Sequence, residues 1–208
     1  MFPACSQISA LLIRYLRQYG VCSWRYLVAF QMMKPRVGVV ALAYPGYNLG
    51  EELCEGKLAE MRALLAGEAF ELVVASAPAL DDASIQRAGD VLAAAGVDCL
   101  LAVLTTFVPD YYITRLLHAC DKPIFLWAVE REMPCIALVC GPLVTASLYN
   151  LEKRYALHGA DIGDAAALQA LRTFARAAML QRLLRTMRVG YSGGKPPIMF
   201  STAVDEYA

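Results

Sequence analysis

The sequence has 208 residues, of which 58% are hydrophobic and 18% are charged. This composition is sufficient for a large core and excludes wholesale disorder. The 19 basic residues balance the 19 acidic ones, so the formal net charge is zero. A neutral chain lacks the positive surface that nucleic acids or anionic membranes attract, and we expect neither as a partner.

The cysteines indicate reduced, buried thiols. Their number, seven, is odd, and no pair has the C-x-x-C spacing of a zinc or redox site. Several lie inside apolar runs, where cysteine behaves as a small hydrophobic residue. The pattern predicts a cytoplasmic location without disulfides. The positions are Cys5, Cys22, Cys54, Cys99, Cys120, Cys135 and Cys140.

Two segments were weighed as membrane contacts. The longest uncharged stretch, Met133–Leu151, contains Pro134 and Pro142, which favours a turn entering a helix over a bilayer span. Residues 1–32 contain ISALLIRYLRQYG, with apolar residues at helical spacing but without the core of a signal peptide. They form either a cationic amphipathic helix on a membrane or partner, or an extension that is loosely attached or not native. The second is favoured, because residues 33–36 lead straight into a buried strand.

From Arg36 onward, apolar runs alternate with helical patterns. Strands are predicted at Val37–Leu42, Leu72–Ala75, Cys99–Leu104, Ile124–Ala128 and His158–Ile162. Helices are predicted at Leu49–Ala66 (ended by Gly67), Ile85–Ala95 (capped by Asp81 and ended by Gly96), Asp110–Ala119, Pro142–Tyr155 and Ala165–Met187 (capped by Asp164).

Strands that are apolar on both faces and alternate with helices indicate a parallel sheet covered on both sides. Five such units predict an α/β fold, a flavodoxin-like doubly wound five-stranded sheet with strand order 2-1-3-4-5. This domain is expected to span residues 33–185. A further strand is predicted to begin at Arg188, so residues 186–208 are expected to be the start of a truncated second domain.

Ligands of such sheets bind beyond the carboxyl ends of the strands, in the loops. The loop Thr105–Pro109 carries two hydroxyls and the ring of Phe107, which suit a small polyol; alternatively it is a helix N-terminal turn with Phe107 packed inward. Glu130 and Glu132 are an acid–base candidate, although Arg131 between them is typical of a solvated loop. Residues 193–195, with the sequence Gly-Gly-Lys, are followed by two prolines. These prolines argue against a helix that begins there and binds phosphate with its N-terminal amides.

The sequence predicts no complete catalytic site. Its two histidines, His118 and His158, have no carboxylate or cysteine at metal-ligand spacing. His118 is expected near a helix C-terminus, where a cationic ring suits the helix dipole. No G-x-S-x-G nucleophile motif is present.

Four segments in order carry a resemblance over residues 33–208. The chain resembles the N-terminal part of the L-fucose/L-arabinose isomerase-like sugar isomerases. The segments are GVVALAY, LTTFVPDYY leading to KPIFLWA, LVCGPLVTASLYNL, and MRVGYSGGKPPIMFSTAVDE, the last being similar to the start of the family's second domain.

The resemblance implies a metal-dependent aldose–ketose isomerase that uses Mn²⁺ and carboxylate acid–base groups. In the family these ligands lie beyond the region that the chain resembles, so no metal is expected to bind this chain alone. The resemblance also implies a homo-oligomer in which this domain helps to hold the sugar. The implied contacts are Thr106, Phe107, Thr145, Ser147 and Met199.

The chain departs from the family at one point that bears on function. Residues 144–147 lack the amide or histidine side chain that the family often has there. The alternative function is therefore a stand-alone, non-catalytic flavodoxin-like module that binds a small sugar or a protein partner.

Overall fold

A computed structural model describes residues 33–47, 51–129 and 137–188 of the chain. Within these ranges the backbone forms a five-stranded sheet whose strands are all parallel, in the order β2-β1-β3-β4-β5. The predicted α/β, flavodoxin-like doubly wound fold is thereby confirmed. The strands are β1 (Arg36–Leu42), β2 (Glu71–Val74), β3 (Cys99–Leu104), β4 (Ile124–Ala128) and β5 (Tyr155–Gly159).

Helices between the strands cover both faces of the sheet. The helix α1 follows two 3-10 turns, Pro45–Tyr47 and Glu51–Leu53. The helices α1 and α5 pack on one face, and α2, α3 and α4 pack on the other. The described helices are α1 (Cys54–Ala66), α2 (Asp82–Ala94), α3 (Asp110–Ala119), α4 (Ala137–Asn150) and α5 (Ala165–Thr186).

The apolar runs form strands because both of their faces are buried. All residues of β3 and β4 are buried, and so is β1 after its first residue, whereas β2 and β5 lie at the sheet edges and are half-buried. A strand that faces a helix layer on either side needs apolar side chains at every position. The predicted bounds of β3 and β4 match the observed ones for this reason.

The predicted caps of two helices are confirmed. The Asp81 carboxylate accepts a hydrogen bond from the Ser84 amide at 2.7 Å, and the Asp164 carboxylate accepts one from the Ala167 amide at 2.8 Å. Each bond satisfies an amide in the first turn that has no partner inside the helix. After α2 the chain turns at Gly96, whose φ of +64° is strained for residues with a side chain.

The fourth helix was predicted with the wrong bounds. It begins at Ala137 and not at Pro142, which lies inside it, and it ends at Asn150. It ends in a Schellman motif, in which the Lys153 amide donates to the Leu148 carbonyl at 2.9 Å and Glu152 has a φ of 53°. The left-handed position is usually glycine, and without a glycine there the predicted helix extended to Tyr155.

The fifth strand was predicted three residues too late. Tyr155, the last residue of the predicted helix, is the first residue of β5, and the strand ends at Gly159 and not at Ile162. The backbone of Ile124 in β4 is bonded to the carbonyl of Arg154, which fixes this register. Because β5 is half-buried, it lacks the continuous apolar run that marked the central strands.

A buried glycine sets the distance between α2 and α3. A Cβ atom added at Gly89 would overlap the Cβ of Ala119. Glycine normally weakens a helix interior. Here its missing side chain is what allows the two helices to approach each other on one face of the sheet.

On the opposite face an ion pair joins the turn that follows α1 to α5. The Arg172 guanidinium donates from Nε to Glu68 Oε2 at 2.6 Å and from a terminal nitrogen to Glu68 Oε1 at 2.5 Å. Two parallel bonds from one guanidinium fix the orientation of both groups. These bonds, followed by the charge of Arg172, hold the pKa of the Glu68 carboxyl below its usual range.

We expect Glu68→Gln to reduce stability at neutral pH but not in acid. A carboxyl whose pKa is lower in the folded state contributes stability above its unfolded pKa and loses it as the pH falls through the folded pKa. Urea unfolding of both proteins across the acid range measures this. Glu71→Gln is the control, because its pair with Arg36 is more exposed, and it should show a smaller pH-dependent difference. A Glu68→Gln difference that is constant with pH would contradict the expectation.

No helix in the described ranges is long and apolar enough to cross a bilayer. The predicted extension of residues 1–32 lies outside these ranges. Of the predicted second-domain start at residues 186–208, only residues 186–188 lie within them.

Candidate functional site

The strand order creates a crevice at one place on the carboxyl edge of the sheet. The chain leaves β1 toward α1 on one face and leaves β3 toward α3 on the other. Because β1 and β3 are neighbours, the chain passes from their adjoining loops to opposite faces of the sheet, and ligands of doubly wound folds bind at such a point. This switch point, formed by residues 43–47 and 105–107, is the candidate site and is called the switch-point crevice below.

Hydrogen bonds fix the two loops to one another. The Tyr44 amide donates to the Phe107 carbonyl at 3.2 Å. The amide and the hydroxyl of Thr105 both donate to the Leu42 carbonyl, at 3.2 and 3.1 Å. The crevice is therefore a preformed part of the scaffold, which suits a binding site.

Aromatic rings lie at the crevice. Tyr44 and Phe107 are partly buried and pack against the core cluster beneath α2, α3 and α4. The ring of Tyr44 meets that of Tyr112 edge to face, with centroids 5.9 Å apart. The Tyr112 hydroxyl donates to the Leu80 carbonyl at 2.7 Å, and burial is the main cause of its raised pKa. Tyr112 is thus a fixed support for the Tyr44 ring.

Two thiols lie next to the crevice, and burial makes both poor nucleophiles. Burial raises the pKa of the Cys54 thiol to about 11, against the opposing effect of a hydrogen bond with Thr105. Burial also raises the pKa of the Cys140 thiol, which donates to the Ala137 carbonyl at 2.9 Å. A thiol reacts as the thiolate, so neither group suits covalent catalysis at neutral pH.

The predicted sugar contacts are distributed over two helix–loop regions. Thr106 is fully buried and Phe107 is half-buried at the crevice. On α4, the Thr145 hydroxyl donates to the Pro142 carbonyl of its own helix at 3.0 Å. The Ser147 hydroxyl donates to the carboxylate of Asp110 at 2.6 Å. Met199 lies outside the described residues.

The sequence analysis missed the partners of these side chains. Asp110 connects α3 to Ser147 on α4, and Tyr112 supports Tyr44 from beneath. The helical spacing of residues 110–119 indicated which face is buried, but no pattern in a single sequence pairs residues of two different helices.

A separate cavity of about 360 Å³ lies between the carboxyl end of β2 and α2, beside the crevice. Its polar side chains include Arg87 and Ser84, whose hydroxyl is bonded to the Asp81 cap. Thr106 and Phe107 are not among its lining residues, which are Ala75, Ser76, Ala77, Pro78, Ser84, Arg87, Ala88, Asp90 and Val91.

The described residues do not provide a fitting Mn²⁺ site. No group of three or more histidine, cysteine, aspartate or glutamate side chains comes together in residues 33–47, 51–129 and 137–188. His118 lies in the last turn of α3 as predicted. His158 on β5 stacks on Phe125 with centroids 5.2 Å apart. The candidate acid–base pair Glu130 and Glu132 and the trio 193–195 lie outside the described part of the chain.

Comparison of the chain with protein-family models and with curated proteins gives no match.

Proposed function

We propose that this chain is the substrate-contacting and oligomer-forming domain of a metal-dependent aldose–ketose isomerase of the L-fucose/L-arabinose isomerase-like kind. The observation that supports it most is the switch-point crevice, whose two hydrogen-bonded loops carry the partly buried rings of Tyr44 and Phe107 at the edge where ligands of this fold bind. The four segments that resemble the family, in the same order along the chain, support a sugar as the substrate. In this proposal, Mn²⁺ and the acid–base carboxylates come from outside the chain.

A sugar in the crevice would meet the aromatic side chains first. An aromatic ring covers the apolar face of a sugar, and Phe107 is half-buried at the crevice, in the loop that follows β3. Thr105 is fully buried and its hydroxyl donates to the Leu42 carbonyl, so it supports the loop that carries Phe107. In the assembled enzyme, the proposed contacts with the sugar also include Thr106, Thr145, Ser147 and Met199.

A second candidate is a stand-alone module that binds a small sugar or a protein partner without chemistry. The full burial of Thr106 favours it, because a buried hydroxyl is not presented to a sugar. An exposed apolar face on α4 favours a protein partner. In both candidates the chain is placed in the cytoplasm, where the thiols of Cys54, Cys99, Cys120 and Cys140 stay reduced.

The proposal is tested by titrating the purified chain with L-fucose and L-arabinose, with and without Mn²⁺, and following amide NMR shifts. We expect metal-independent binding with a dissociation constant on the order of 1 mM, about −4 kcal/mol. Phe107→Leu should weaken this binding about fivefold, because the ring is replaced while the packing volume is largely kept. No isomerisation by the chain alone is expected.

Phe70→Leu is the matched control, since Phe70 is also a half-buried phenylalanine but precedes β2 at the amino edge. Its sugar binding should equal that of the wild type. Binding that requires Mn²⁺, or isomerisation by the chain alone, would refute the assignment of the metal to a site outside the chain. Absence of any sugar-dependent shift at 50 mM, roughly fifty times the expected constant, would favour the protein-binding candidate.

A further inference from the structure

The helix α4 has an apolar face that nothing covers in the described residues. Its exposed positions include Val139 at 68%, Leu143 at 48% and Tyr149 at 75% of their full accessible area. At 100° per residue the exposed positions subtend about 140° of the helix. We call them the α4 face: Leu138, Val139, Pro142, Leu143, Ala146 and Tyr149.

The opposite side of the same helix is equally apolar and is buried against the sheet. Cys140, Val144 and Leu148 lie in the core cluster, and Gly141 lies against Leu157 of β5. No charged residue occurs anywhere in α4. A helix that is apolar all round is normally buried on all sides, but within residues 33–47, 51–129 and 137–188 one side of α4 has no partner.

We propose that the α4 face binds the α4 face of a second copy of this chain across a two-fold axis. The exposed apolar area of the face is on the order of 500 Å², at the upper end of what single proteins expose. A stable interface buries roughly 800 Å² per partner. The face supplies more than half of this.

The sequence of the face suits pairing with itself in an antiparallel arrangement. An axis between Pro142 and Leu143 places Val139 of one copy opposite Ala146 of the other, so that a larger side chain meets a small one. Interdigitation of this kind is how helix surfaces pack closely. Because α4 has no charges, two identical faces meet without like-charge repulsion and without burying a charge.

A lipid surface fits the same face less well. Helices that lie in a membrane interface carry lysine and arginine on their polar side to attract anionic lipids. The helix α4 has none in its whole length. Vesicle binding is therefore included below only as an opposing outcome.

This proposal rests on the oligomer-forming part of the proposed function and is tested without sugar, so that it can fail while sugar binding stands. Sedimentation velocity of the full chain should show a monomer–dimer equilibrium in the micromolar range. Leu143→Glu should weaken the dimer at least tenfold. Leu184→Glu, at an equally exposed leucine on α5, should leave it unchanged and controls for a general effect of an added charge.

The register is tested by cross-linking. In the double variant Val139→Cys, Ala146→Cys, oxidation of the two facing thiols by copper phenanthroline should link the copies through disulfides. Neither single variant should link, because each new thiol then faces the other position. Linking of either single variant to the same extent as the double variant would refute the register. A wild type that stays monomeric at 100 µM, dimers unaffected by Leu143→Glu, or a monomer that floats with phosphatidylcholine–phosphatidylglycerol vesicles would overturn the proposal.

Discussion

Replacing Trp127 with alanine is expected to lower the free energy of unfolding by about 4 kcal/mol. Trp127 is fully buried in β4, in the core between the sheet and the helices α1 and α5. Its indole nitrogen donates to the Ala160 carbonyl at 3.0 Å, just past the end of β5. The substitution removes a large apolar side chain, leaves a cavity in the centre of the sheet and breaks a link between two strands.

Trp127→Phe separates these contributions. It keeps an aromatic ring in the core but loses the bond to Ala160, so we expect a loss of about 1–2 kcal/mol. Urea unfolding followed by far-ultraviolet circular dichroism is the suitable measurement, because the substitutions remove a fluorophore. An alanine variant that loses less than the phenylalanine variant would show that the indole does not occupy the core as described.

The central part of the fold was predictable because one physical condition dominates there. Residues of β3 and β4 are buried on both faces, so both strands are apolar throughout, and Asp98 and Thr105 mark the ends of β3. The alternation of such runs with helical spacing then leaves few topologies, of which the doubly wound order is the observed one. Asp81 and Asp164 were recognised because capping is a local interaction, three residues in range.

The errors at α4 and β5 have a common cause, which is that tertiary contacts overrode local signals. Pro142 normally marks the start of a helix, yet α4 begins five residues earlier. The same helix stops at a left-handed Glu152, a conformation that glycine usually provides. Burial of Val144 and Leu148 against the core outweighs both local preferences. Because the end of this helix was predicted too late in the chain, the start of β5 was also predicted too late.

The rule that ligands bind at the carboxyl edge predicts a site in the loops after the strands, but it does not predict which side chains of those loops are available to a ligand. Whether a hydroxyl in such a loop is available depends on its partner. Thr105 is bonded to Leu42, 63 residues earlier in the chain, and Ser147 is bonded to Asp110, 37 residues earlier. Contacts of this range follow from the assembled fold and are not encoded in residue spacing.

The apolar face of α4 accounts for the long uncharged stretch that raised the question of a membrane span. The uncharged stretch Met133–Leu151 includes a helix that packs on the sheet with one side and exposes the other. If a second subunit covers the exposed side of α4, a charged residue on either side of the helix would be buried, which costs stability. The absence of charge is therefore expected of a helix buried between two subunits, as in the proposed dimer.

Replacing Arg182 with alanine is expected to cost more stability than replacing its partner Asp98, about 3 against about 2 kcal/mol. The Asp98 side chain is fully buried, whereas the Arg182 side chain is 43% exposed. The carboxylate accepts a bond from the Arg182 guanidinium and another from the Arg36 amide at 2.8 Å. The pair thereby fixes the C-terminal part of α5 to the amino edge of the sheet.

The order of the two effects follows from which group loses its partner. Arg182→Ala leaves a buried carboxylate with one amide and no countercharge, which is the costly case. Asp98→Ala leaves a guanidinium that can turn to water and one amide without its acceptor. The double variant should therefore lose about as much stability as Asp98→Ala alone. Asp98→Asn keeps an acceptor for the Arg36 amide, so it should lose less stability than either single alanine variant. A double-mutant cycle from urea unfolding tests this. Additive losses, or a larger loss for Asp98→Ala than for Arg182→Ala, would mean that the carboxylate is accessible to water in the folded protein.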